Sequence, residues 1–228
     1  MLIRKIGLVV ADEGEYEPLR RLVADGDKSL LAGMECLRFY RGEVEVLAVL
    51  CGIGKVNAAA AAAFLLDRGV ELLMSVGYSG GISGVAKGMT AVATRFLEHD
   101  FDLTPLGYRP AQKPDPVWIY DADGEVNDII RRLYPDIREG TMVTGDCFVS
   151  DDKVRCWLRD EFAAVSCDME TAAVAAVGHK LGVKAVAIRR ISDDAGDNAN
   201  ELYKETTATI EDSLMEMALS VIDAINEG

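Results

Sequence analysis

An α/β fold is predicted for this chain, with a central twisted, mostly parallel mixed sheet and helices on both faces. Three observations predict it. The apolar runs KIGLVVA (5–11), LLMSV (72–76) and KAVAIRRI (184–191) show little polar alternation, as expected of strands covered on both faces. Helix-forming stretches separate them, among them EYEPLRRLV, an alanine-rich segment containing the run 58–63 and TAAVAAVGHKL. The chain has 228 residues, half of them hydrophobic, which suits one domain over 1–228 with a sizeable core.

Taken in order, the first strand ends at Asp12-Glu13-Gly14-Glu15 and passes into a helix. Acids in a first helical turn favour the dipole, so helix-start electrostatics explains them. Their place at a strand end also makes at least one of them a candidate for a site. Residues 36–40 and 43–50 form a hairpin turning at Arg41-Gly42, with Val44, Val46 and Ala48 inward. CGIGKVNAAAAAAFLLDRG is a glycine turn feeding a helix. It is not a dinucleotide fingerprint, because Asn57 stands where Gly or Ala is needed and Glu71 begins the next strand. It also lacks the GK[ST] ending of a P-loop.

The strand over 72–76 is expected to end in the turn Gly77-Tyr78-Ser79-Gly80-Gly81, which would let backbone N–H groups approach a ligand. A strand over 90–95 leads into EHDFDLTPLGYRPAQKPDP, a segment with four prolines and the length of a lid or binding loop. A short helix over 125–134, a strand over 140–149 and a helix over 153–162 follow. The helix over 171–181 stops at Gly182. The strand over 184–191 delivers Ser192-Asp193 at its end, as Glu170 is delivered just ahead of the preceding helix. A closing helix over 200–226 carries Ile210, Leu214, Met217, Val221 and Ile225 on one apolar stripe.

Composition narrows the function. A net charge of -14 disfavours nucleic acid and acidic membranes as partners, and a small-molecule substrate is expected. No run approaches the roughly 18 apolar residues of a membrane span. The five cysteines show no CxxC spacing and read as reduced, structural thiols of a cytoplasmic protein. The first apolar run ends at Asp12, too soon for a secretion signal. His99 and His179 lack metal-ligand spacing, so neither a metal nor a cofactor is expected. His179 reads as a late-helix surface residue and His99 as part of the lid loop. A serine triad lacks its GxSxG elbow. In open α/β sheets ligands gather at the carboxyl ends of strands. Glu15, Tyr78, Ser79, Phe148, Glu170 and Asp193 all fall there and can converge.

In this order, CGIGKVNAAAA, SVGYSGGI, HDFDLTPLGY, TGDCFV, CDMETAA and IRRISDDAGD resemble the bacterial 5′-methylthioadenosine/S-adenosylhomocysteine nucleosidases of the nucleoside phosphorylase superfamily. The likeness covers nearly the whole chain. It implies hydrolysis of the purine N9–C1′ bond through an oxocarbenium-like transition state. By that resemblance, Asp193 protonates purine N7, Glu15 orients or activates water, Glu170 holds the ribose hydroxyls and Arg189 stands beside the water. Phe148 stacks on adenine, the Val149 backbone reads its edge, and Met169 packs beneath the sugar. Ile53, Ser79, Gly80 and Ser192 complete the substrate-binding set. Leu103, Leu106, Tyr108, Pro114 and Tyr203 match the lining of the 5′-alkylthio pocket, some of them reaching it from the partner of a homodimer.

Two carboxyl groups, one acting as acid and one on water, are what glycosyl cleavage asks for independently of the likeness. Tyr78 departs from the family, which commonly has Ser there. Its phenol is expected to face the ribose and bond Glu170 or the 3′-hydroxyl, the alternative being to turn into the core. Leu106 replaces a usual aromatic and Arg190 a usual small residue. A phosphate-dependent phosphorylase is the second reading, although acids after the first strand would repel phosphate. A hydrolase of futalosine-type nucleosides and a non-catalytic nucleoside-binding module are the others.

Overall fold

The computed structural model describes residues 3–208 and 211–227. Its first half contains β1 (Lys5–Val10), α1 (Glu13–Leu22), β2 (Asp27–Leu31), β3 (Met34–Arg41), β4 (Val44–Leu50) and α2 (Lys55–Asp67). Next come β5 (Leu72–Gly81), β6 (Thr90–Glu98), β7 (Tyr120–Asp121), α3 (Gly124–Leu133) and β8 (Arg138–Thr144). The chain continues through α4 (Asp152–Phe162), β9 (Ala164–Asp168), α5 (Thr171–Lys180) and β10 (Lys184–Asp193). It closes with α6 (Ala199–Thr207) and α7 (Ser213–Glu227).

These strands form one mixed sheet in the order β10-β6-β8-β9-β5-β1-β4-β3-β2, with β7 beside β6. β1 pairs in parallel with β4 and β5, and β5 with β10. Their carboxyl ends therefore share one edge. The β5–β10 pairing also closes β5, β10, β6, β8 and β9 into a ring. Antiparallel pairing of Gly80 with Cys167 and Gly81 with Ser166 returns the end of β9 to the same edge. The site is thus brought together by a sheet that curls back on itself.

One face of the sheet buries Ile6, Leu8, Val46, Met74 and Ile188 against Tyr16 and Leu19 of α1, Ile130 of α3 and Val221 of α7. The other buries Val9, Val49, Leu73 and Ala187 against the alanines of α2 and α5. The short side chains let those two helices lie close to the sheet and to each other. β4 buries residues on both faces, so Leu47 and Val49 are core alongside Val44, Val46 and Ala48.

Three expectations are corrected. The glycine stretch 77–81 is the second half of β5 and not a turn after it, since both β10 and β9 pair with it. β2 is an additional strand. Its DKSLL sequence is polar because it lies at the sheet edge with most residues exposed, where charge blunts edge pairing. The closing helix is two helices, α6 and α7. Thr206 and Thr207 at the end of α6 turn their hydroxyls onto backbone carbonyls, Thr206 bonding Ser192 O at 2.8 Å as well as Leu202 O. β-branched residues bonding backbone in this way weaken helix continuation. Leu214, Met217, Val221 and Ile225 are buried along α7 as the spacing predicts, while Ile210 lies outside the described residues.

Candidate active site

Asp168, at the end of β9, organises one wall of the site. Its Oδ1 accepts Thr144 Oγ1 at 2.7 Å and the Glu170 and Thr171 N–H groups at 3.0 Å. Its Oδ2 accepts Thr171 Oγ1 at 2.7 Å and Arg189 Nε at 3.2 Å. Asp168 thereby caps the start of α5, a task the Glu170 side chain does not perform. Glu170 is left free to turn into the cavity, where Gly54 N–H reaches its Oε1 at 3.0 Å.

Arg189 is 1 % exposed and is neutralised on several sides. Besides Asp168, it donates to Ser75 Oγ at 2.9 Å and stands 3.6 Å from Glu170 Oε2. It also lies against Glu15 across Gly77, where a methyl group would collide with both side chains. Glycine at position 77 is therefore a packing requirement of this pair. The Glu15 Oε1 accepts Tyr78 N–H at 2.5 Å, and its Oε2 accepts Asp12 N–H at 3.2 Å in a capping box. The helix-start role and the site role of this acid are thus carried by its two oxygens.

Burial raises Glu15 to about 7, against the opposing pull of Arg189 and the Tyr78 N–H. Glu170 is also pushed up by burial, with Arg189 opposing and Asp168 adding to the rise. Across the cavity, Asp193 accepts Ser192 Oγ at 2.7 Å and Ala195 N–H at 2.8 Å. Burial raises its pKa in spite of these two bonds, and Asp194 adds repulsion. The same edge of the sheet therefore presents a protonatable acid at the end of β10 and a pair of carboxyl groups at the starts of α1 and α5, just after β1 and β9.

Between them lies a cavity of about 360 Å³. Of the residues expected here, Glu15, Ile53, Tyr78, Ser79, Gly80, Phe148, Val149, Met169, Glu170, Ser192, Asp193 and Tyr203 line it, and Arg189 lies behind the wall. Asp12, from the acids at the end of the first strand, joins them, as do Ala11, Cys147, Cys167 and Asp168, which the sequence does not single out. Asp168 had a readable signal: an acid three residues before the first threonine of an alanine-rich helix is a capping position. Phe148 and Tyr203 meet edge to face with centroids 5.6 Å apart, forming an aromatic corner.

Leu103, Leu106, Tyr108 and Pro114 do not line this cavity. They lie on the segment between β6 and β7, and Leu106 is 72 % exposed. Tyr78 lines the cavity on the Glu15 side. Burial raises its phenol pKa, with Glu15 adding to the rise. His99 is 7 % exposed and packed against Gly145, so it is a buried residue and not part of a lid. His179 is exposed on α5, as expected.

Comparison with known proteins matches residues 5–225 to the family model described as the phosphorylase superfamily. A 5′-methylthioadenosine/S-adenosylhomocysteine nucleosidase from an Exiguobacterium species is 33% identical over 227 residues, covering 95% of this chain and 97% of that protein. The structure of the Neisseria meningitidis nucleosidase of the same name, in complex with methylthio-immucillin-A, superposes with a TM-score of 0.91 at 26% identity. It covers 97% of this chain and 100% of the other. Helicobacter pylori futalosine hydrolase superposes at 0.88 over 99% of this chain and 98% of its own. At 23% identity that likeness bears on the fold alone.

Proposed function

Since the chain belongs to the 5′-methylthioadenosine/S-adenosylhomocysteine nucleosidases of the phosphorylase superfamily, we propose that it hydrolyses the N-ribosidic bond of these two nucleosides and releases adenine. Asp193 donates a proton to purine N7, so that adenine leaves as a neutral base. A general acid of this kind contributes about 10²–10⁴-fold. Glu15, on the other side of the cavity, accepts a proton from the attacking water or orients it. Glu170 holds the ribose hydroxyls. Arg189 keeps Glu170 and Glu15 close together without reaching the substrate itself. The Phe148 ring stacks on the base, the Val149 backbone reads its edge, and Met169 packs under the sugar.

The observation that carries hydrolysis over phosphorolysis is the sign of the cavity wall. Asp12, Glu15, Asp168 and Glu170 line it, while Arg189 is occupied by Asp168, Ser75 and Glu170. Phosphate is best held by free guanidinium or N–H groups, and these carboxylates would repel it. The test is adenine release from 5′-methylthioadenosine, S-adenosylhomocysteine, inosine and a futalosine-type nucleoside, each with and without phosphate. Phosphate-independent release from the first two is the expected result. Turnover that requires phosphate and yields a ribose 1-phosphate would overturn it.

The reading includes a cytoplasmic homodimer. All five cysteines are free, and among the described residues no helix is long and apolar enough to cross a membrane. Leu103, Leu106, Tyr108 and Pro114 then serve the 5′-substituent pocket of the partner chain.

A further inference from the structure

We propose that Asp100 is a positioning residue for purine recognition, latching the loop that walls the base end of the cavity to the start of α2 and the end of β6. The inference rests on the assignment of the base to Phe148 and Val149. Asp100 lies two residues beyond the end of β6. One of its carboxylate oxygens accepts Asp146 N–H at 2.9 Å, and the other takes the Lys55 ammonium at 2.6 Å. Asp146 accepts Lys55 N–H at 2.8 Å through its own carboxylate, which closes a triangle.

The three corners belong to three segments. Asp146 precedes Cys147, Phe148 and Val149, all of which line the cavity. Lys55 opens α2 and follows Gly54, whose N–H touches Glu170. His99, beside Asp100, adds a bond from its N–H to Thr144 O at 2.9 Å. Its imidazole fills the space where a side chain at position 145 would sit. The dipeptide His99-Asp100 therefore grips residues 144–146 through one backbone–backbone bond, one bond from the Asp146 N–H to the Asp100 carboxylate, and one packing contact.

A latch is needed because the loop has little packing of its own. Phe148 is 46 % exposed and Cys147 is exposed, so the backbone beneath them must be fixed from elsewhere. Charge favours the arrangement. Burial by itself would push the Asp100 carboxyl up, yet Lys55 and the Asp146 N–H hold it below its usual value. Lys55, which burial would lower, is held high by Asp100 and Glu98. Glu98 in turn binds Lys113 of the segment before β7, extending the network toward Tyr120. Lys55, Asp100 and Asp146 do not line the cavity, so the effect passes through the loop and leaves Asp193 and Glu15 in place.

The experiment compares Asp100→Asn and Asp100→Ala with wild type. It measures kcat and KM on 5′-methylthioadenosine, and inhibition by adenine and by 5-methylthioribose separately. A lost charge-assisted hydrogen bond of this kind weakens binding by about 10-fold or more. KM and the adenine inhibition constant are expected to rise together by that factor in Asp100→Ala and by less in Asp100→Asn. The value of kcat should stay within about 3-fold, and inhibition by methylthioribose should be unchanged. A fall in kcat at constant KM, or equal weakening of both products, would overturn the latch, because general destabilisation does not distinguish base from sugar. Should the alanine variant not fold, the asparagine variant carries the same comparison. Wild-type turnover, measured first, separates the two readings: absence of adenine release overturns the functional reading on which the latch rests. Normal release with adenine inhibition unaltered in the variants overturns the latch alone.

Discussion

Asp193 and Glu15 are both buried carboxyl groups with raised pKa values, yet their neighbours give them different tasks. Burial and the neighbouring Asp194 keep Asp193 raised in spite of the bonds it accepts from Ser192 and Ala195, and no cation among the described residues pairs with it, which suits a group that enters the reaction protonated. Glu15 lies beside Arg189, which favours ionisation during turnover. Asp193→Asn is expected to lower kcat by at least about 10²-fold while the nucleoside still binds, as measured by single-turnover kinetics and equilibrium binding. Near-normal turnover would remove Asp193 from the acid's role.

The Glu15 prediction concerns pH. Because its folded value of about 7 exceeds the ordinary 4.5, the folded state holds a proton that the unfolded chain releases between those values. Stability therefore falls as pH rises through this window, costing on the order of 3 kcal/mol once Glu15 is fully ionised. Glu15→Gln should accordingly melt at least about 5 °C above wild type at pH 8, with the gain fading toward pH 4.5. The kcat/KM of wild type should rise through pH 7 as this base ionises. A stability difference independent of pH would show that Glu15 is not the titrating group. These acids were legible in the sequence from their places at strand ends.

At the scale of elements, β5 carries most of what sequence patterning could not read. Glycines normally weaken a strand interior, so the run 77–81 looked like its end. Here each serves an approach: Gly77 admits the Glu15 and Arg189 side chains, and Gly80 admits Asp193 and Ala195. Gly77→Ala is expected to push Glu15 and Arg189 apart. It should lower kcat by more than 10-fold and destabilise the fold by about 1–3 kcal/mol, the usual cost of overpacking. Denaturant unfolding with parallel kinetics would measure both effects. An alanine variant as active and as stable as wild type would show that the pair has room to spare. By contrast α2, α5 and β10 could be placed within a few residues, because continuous apolar or alanine-rich runs leave one structural solution. The division of the final helix escaped notice since it depends on where Thr206 finds the Ser192 carbonyl, a tertiary bond with no local signature.

The whole molecule presents an apolar surface that one chain does not cover. α2 packs Ala58, Ala61, Ala62 and Leu65 inward, while Val56 is 80 % and Phe64 42 % exposed on the same helix. Ile53 just before α2 is 50 % exposed, and Leu106 on the segment after β6 is 72 % exposed. A helix apolar on both sides is ordinarily buried on both. Strong net negative charge keeps copies of the chain apart unless such a surface overcomes it, so self-association here has to be specific. We therefore expect a homodimer with α2 at the contact, burying more than about 2,000 Å² in total as obligate pairs do. Sedimentation equilibrium at micromolar concentration should give twice the mass of one chain. Val56→Glu should shift it to the monomer by placing a charge in an apolar contact. If Leu103, Leu106, Tyr108 and Pro114 complete the partner's pocket, the monomer should lose affinity for the 5′-thioalkyl group while adenine inhibition persists. A wild-type monomer with full activity, or a dissociated variant with unchanged KM, would remove the partner chain from the site.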